Sequence, residues 1–117
     1  MIRRQGTRAT VYRGTPATAA DGNRYLGAPW AVRASEVPVN IQEPNADRVA
    51  MVWGTDFPIE AVAFAAPDAV AEEDRLDITA GPFTGEKFAV TGRIRHRQRS
   101  SNDHDELALQ STSEVFA

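Results

Sequence analysis

Residues 87–95, Lys-Phe-Ala-Val-Thr-Gly-Arg-Ile-Arg, carry the clearest structural signal in the chain. Phe88, Val90 and Ile94 fall at even positions, while Lys87, Thr91, Arg93 and Arg95 at odd positions are polar, which is the period-two pattern of a strand with one buried face. Gly92 keeps the apolar phase but brings no side chain, so a bend or bulge is predicted there.

The same signature recurs in short runs on either side: TRATVYR (7–13), WAVR (30–33), VPVNIQ (37–42), IEAVAF (59–64), LDIT (76–79) and ELALQ (106–110). The glycines and prolines sit mainly between these runs, at Pro44, Pro67, Gly81-Pro82 and Gly85. This punctuation predicts an all-β fold, a small β-barrel or sandwich. RVAMVWG (48–54) is read as a further strand, because Val49 and Val52 are β-branched, and AVAEED (69–74) as one helical turn. Residues 14–29, GTPATAADGNRYLGAP, are small and polar with an Asp21-Gly22-Asn23 turn signal at the centre, and predict a long, mobile loop.

A chain of 117 residues makes one domain, 1–117, closed by a short C-terminal tail at 111–117. Leu, Ile, Val and Phe number 24, about a fifth of the residues, so the core is thin and neighbouring subunits are expected to complete its stability. The chain has no cysteine, which excludes disulfides, thiolate nucleophiles and Cys-based metal centres. Its longest apolar run, residues 61–67, is far shorter than the roughly 20 residues of a membrane-spanning helix. The basic start MIRRQGTR lacks the apolar stretch of a signal peptide.

Charge is unevenly distributed. Residues 1–13 carry +4, 14–35 carry +1, 36–86 carry −9, 87–99 carry +5 and 100–117 carry −4. Alternating blocks of this kind let one subunit present opposite potentials on different faces, as head-to-tail self-association requires. The plainer reading is a solubilising surface. Arg93, Arg95, Arg97 and Arg99 share one face of an extended strand. With the acidic turn Glu72, Glu73 and Asp74 they form the candidate subunit interface.

Catalytic chemistry is hard to find. Gly81-Pro-Phe-Thr-Gly-Glu-Lys87 lacks the adjacent Gly-Lys-Ser/Thr of a phosphate loop and reads as a hairpin turn. His96 and His104 with Asp103 and Asp105 offer metal-ligand chemistry without a third fixed ligand, and Glu72, Glu73, Asp74 and Asp77 lack calcium-loop spacing. No catalytic residue, metal or other cofactor is assigned. An unrecognised hydrolase is the minor alternative.

The order Val37-Pro-Val-Asn-Ile-Gln-Glu-Pro44, Trp53-Gly54, Glu60-Ala-Val-Ala-Phe64, Glu73-Asp-Arg-Leu-Asp-Ile78, Gly85-Glu-Lys-Phe-Ala-Val-Thr-Gly92 and His104-Asp-Glu-Leu-Ala-Leu109 resembles the head-completion proteins of long-tailed bacteriophages, also called head-to-tail stoppers or head closure proteins. The resemblance covers roughly residues 30–110 and rests on strand patterns and turn signals. It implies a β-barrel subunit of a homo-oligomeric ring in the virion neck, assembled in the host cytoplasm. The ring would lie between the adaptor or portal-side connector ring and the tail terminator or tail tube, and would retain packaged double-stranded DNA without touching a membrane. It further implies that residues 14–29 project toward the channel, with Thr18, Ala19, Ala20, Asp21, Gly22, Asn23, Arg24 and Tyr25 as the channel loop. Because Arg24 is offset by Asp21, closure there would be steric. The competing reading from a different class is a monomeric oligonucleotide-binding barrel using Tyr12, Tyr25, Trp30 and the basic strand on single-stranded nucleic acid.

Overall fold

The computed structural model describes residues 6–54, 59–97, 103–113 and 116. The alternating runs form six strands, β1 (Arg8–Thr18), β2 (Arg24–Gln42), β3 (Ala61–Ala65), β4 (Arg75–Ala80), β5 (Lys87–His96) and β6 (His104–Ser111), with one helix, α1 (Ala46–Val52), between β2 and β3. All strand pairs are antiparallel. The order β1-β2-β3-β6-β5-β4 closes on itself where β4 pairs with β1, so a single sheet forms a ring around the core. All-β architecture therefore holds.

Four alanines, Ala9, Ala61, Ala63 and Ala65, face the interior beside Ile41, Leu76, Ile78, Phe88, Leu107 and Leu109. A closed sheet of so few strands leaves little room inside, and the small side chains on β1 and β3 allow the large ones opposite to fill it. Thus the apolar thinness seen in the composition suits this interior.

Three local readings are corrected. RVAMVWG begins inside a helix rather than a strand: Val49 donates its amide to the Asn45 carbonyl at 2.9 Å and Trp53 to that of Val49 at 2.8 Å. Asn45, a favoured cap residue after Pro44, starts the helix, a signal outweighed at the sequence level by two β-branched valines. AVAEED does not form a helix but an irregular connection that carries the wholly buried Val70 into the core. The long loop at 14–29 is strand, turn and strand, with Thr15 opposite Gly27, Pro16 opposite Leu26, Ala17 opposite Tyr25 and Thr18 opposite Arg24. Asp21-Gly22-Asn23 is its turn, as the residues suggested.

The register of β5 shifts between Val90 and Gly92, where the predicted bulge lies. Val90 sits opposite Leu109, but Arg93 and Arg95 sit opposite Leu107 and Asp105. Cross-strand partners share a face. The bulge therefore turns both arginines to the inner side, at the mouth of the closed sheet, and places Ile94 and His96 on the outer side opposite Glu106 and His104.

Candidate functional site

The β1–β2 hairpin outruns the rest of the sheet. β1 pairs with β4 only as far as Tyr12, and β2 meets β3 only from Val39 onward. Beyond those points the two strands pair, among the described residues, with each other alone and form a ribbon, whose segment 13–18 adds about 20 Å at the usual strand rise. Its turn is tied by Ala19 N–H to Asn23 O at 2.8 Å, Gly22 N–H to Ala19 O at 2.9 Å and Asn23 N–H to the Asp21 carboxylate at 3.0 Å. The proposed channel residues, 18–25, all lie at this tip, and all but the half-buried Ala19 are exposed. At the root, a Cβ on Gly14 would stand 2.8 Å from the Gly27 backbone nitrogen and 2.9 Å from the Trp30 ring, so only glycine lets the strands approach there.

Below the ribbon, the β3–β4 connection crosses the mouth of the closed sheet and is held by aspartates and arginines. Asp105, fully buried, accepts a fork from Arg95 Nε and Nη2 together with the Asp68 N–H at 2.9 Å. Arg95 also reaches Asp68 Oδ1 at 2.6 Å, and Arg93 reaches Asp68 at 3.2 Å and Asp105 at 3.8 Å. Burial alone would raise the Asp105 carboxyl, yet the Arg95 hydrogen bond, the Asp68 amide and the two nearby guanidinium charges hold it below the ordinary aspartate value. Hydrogen bonds to Asp105 and then Asp68 raise Arg95 in turn. A second buried carboxylate, Asp74, accepts from Arg13 Nε at 3.1 Å and from the Ala71 N–H at 2.9 Å, with Arg33 at 3.9 Å.

The arginine stripe therefore divides. Arg93 and Arg95 have partners within their own chain, Arg97 is exposed, and Arg99 lies outside the described residues. In the acidic turn, Glu72 and Glu73 are exposed while Asp74 is wholly buried, so only the first two present charge to a neighbour. Of the other members of these ion pairs, Asp105 stands in the sequence only as a possible metal ligand, and Arg13, Arg33 and Asp68 carry no site signal there. Sequence offers no signal for the pairing, because the pairs join positions 10 to 61 residues apart.

On the outer wall, Phe116 packs against Tyr12 and Trp30 with centroid separations of 5.2 and 6.0 Å, Lys87 lies over its ring, and Arg75 stacks on Trp30 at 4.5 Å. Phe116 is only 5% exposed. Phe116→Ala is expected to cost about 3 kcal/mol and to shift tryptophan emission to the red as Trp30 is wetted, which urea unfolding and fluorescence would measure.

On the opposite wall, the buried Glu106 binds His96 Nε2 at 2.8 Å and receives Trp53 Nε1–H at 3.4 Å, which ties the end of the α1 segment to the sheet. His96 and His104 stack with centroids 4.9 Å apart, and Phe64 meets His104 edge-on. Among the described residues no three His, Cys, Asp or Glu side chains are placed to hold a metal ion. The adjoining cleft, with Gln42, Phe64 and Glu106 in its walls, measures about 100 Å³. That is well below the roughly 300 Å³ at which ordinary ligand pockets begin. Among the described residues no helix is long and apolar enough to cross a membrane.

No protein-family model, no curated protein and no solved structure matches the chain.

Proposed function

We propose that the chain is a connector subunit of a tailed bacteriophage or a related gene-transfer particle: a small β-barrel that forms a homo-oligomeric ring in the virion neck and closes the DNA-filled head. The observation that carries this reading is the exposed β1–β2 ribbon, standing on a closed sheet. A ring of such subunits would aim its ribbons at the central channel, and their tips, with Arg24 offset by Asp21, would obstruct DNA by bulk more than by charge. The exposed Glu72, Glu73 and Arg97 supply unlike charges for contacts with neighbouring copies, the adaptor or portal-side ring, or the tail terminator. The single-stranded nucleic-acid reading is weakened by the fate of its aromatics. Tyr12 and Trp30 are packed under Phe116, and of the three proposed only Tyr25 is open to stack on a base.

Deleting the three cross-strand pairs Pro16–Leu26, Ala17–Tyr25 and Thr18–Arg24 keeps the turn and shortens the ribbon by about 10 Å. The shortened subunit is expected to keep its circular dichroism spectrum and to join heads normally, while packaged DNA escapes from them. Full retention of DNA by heads carrying the shortened subunit would overturn the reading. So would strictly monomeric protein by light scattering, both alone and in the presence of portal-side rings.

A further inference from the structure

We propose that Arg13 and Arg33 are positioning residues that lock the ribbon at one angle to the closed sheet through the buried carboxylate of Asp74; the proposal rests on the connector reading for its biological purpose but not for its mechanics.

The ribbon has the makings of a pivot at its root. β1 loses register between Ala9 and Val11, between Val11 and Tyr12, and again between Arg13 and Thr15. On β2, Glu36 takes a left-handed φ of 56°. Irregularities of this kind break the ladder that would otherwise stiffen a strand pair, and a two-stranded ribbon by itself is marginally stable in water. Past Tyr12 and before Val39, no ladder among the described residues joins the ribbon to a third strand.

One arginine from each ribbon strand bridges the gap to the same connection. Arg13, the first residue beyond the β1–β4 ladder, spans both Asp74 oxygens with Nε at 3.1 Å and Nη2 at 3.4 Å. Arg33, on β2, donates Nη1 to the Ala69 carbonyl at 2.6 Å and Nη2 to the Asp68 carbonyl at 3.1 Å, and stands 3.9 Å from Asp74 Oδ2. A swing of the ribbon would pull both guanidinium groups away and leave Asp74 buried with only the Ala71 amide, which disfavours every angle but one. Asp68, whose carbonyl receives Arg33, is in turn fixed by Arg93 and Arg95, so the anchor is itself held to β5.

The chain has no native cysteine, so spin labels at Ala20→Cys on the tip and Glu86→Cys on the β4–β5 turn would report a single distance. The parent is expected to give one narrow distribution; Arg33→Gln and Asp74→Asn should broaden it and speed hydrogen exchange of the ribbon amides about ten- to a hundredfold. Exchange in β3, β5 and β6 should stay unchanged in Arg33→Gln, and Arg33→Lys should recover part of the narrow distribution. A narrow distribution in Arg33→Gln would overturn the proposal, as would faster exchange spread evenly over the sheet, which marks a merely structural role. Should Asp74→Asn fail to fold, Arg33→Gln, on a side chain about one-third exposed, decides the matter. Broadened distances combined with undiminished DNA retention would refute the connector reading and leave the clamp standing.

Discussion

Gly81→Ala is expected to destabilise the subunit by about 2–6 kcal/mol, the sum of left-handed strain and forced overpacking. Gly81 has a φ of +98°, and a Cβ there would lie 2.7 Å from the Thr7 Cα and 2.6 Å from its hydroxyl oxygen. Thr7 cannot retreat easily, because it is fully buried and its carbonyl accepts the Val39 amide at 3.2 Å. Gly85 supplies the control. Its φ of +92° is similar, yet nothing lies within 4 Å of a Cβ built there, so Gly85→Ala carries the strain without the collision. Melting both variants separates the two contributions. A Gly81→Ala protein no less stable than Gly85→Ala would show that the Thr7 contact is unimportant.

Asp105→Asn is expected to cost about 2 kcal/mol at neutral pH, the scale of hydrogen bonds to a charged group, and progressively less in acid. The Asp105 carboxyl is held below its ordinary value in the folded chain, so the unfolded chain takes up the proton first as pH falls. The stabilisation from this residue is complete above the unfolded value of about 4 and is lost as pH drops through the lower folded value. Stability curves of parent and variant should therefore converge progressively as pH falls below about 5. Parallel curves over that range would mean that Asp105 does not supply the acid sensitivity.

β5 shows how far the residues themselves could be read. Phe88 and Val90 point inward as their spacing implied, and the bulge lies where Gly92 suggested it. What spacing could not convey is the effect of that bulge on phase: one extra residue exchanges the faces, sending Arg93 and Arg95 inward where simple alternation put Ile94. Residues 14–29 of the ribbon read as a loop for another reason. In β2, residues 24–36 include no buried side chain, so nothing selects apolar residues at every second position, and its first part, Arg-Tyr-Leu-Gly-Ala-Pro (24–29), looks like a loop. Its turn remained legible because Asp21, Gly22 and Asn23 act through local backbone bonds that need no partner elsewhere. The clamps at its root were illegible for the opposite reason, since they depend entirely on distant partners.

Closure of the sheet has a consequence for how the subunit comes to exist. The β1–β4 seam joins Thr10 to Asp77, and the β3–β6 seam joins Val62 to Ala108. Contacts between such remote positions must overcome chain entropy before they return any stabilisation, which places folding in the slow range of all-β chains, about milliseconds to seconds. A growing chain that has made β3 but not yet β6 carries an open strand edge of Ala-Val-Ala-Phe-Ala, able to pair with the same edge on another growing chain. Until β6 slots between β3 and β5, every such chain is a candidate for aggregation, so the last described strand to be synthesised governs the yield of usable subunits.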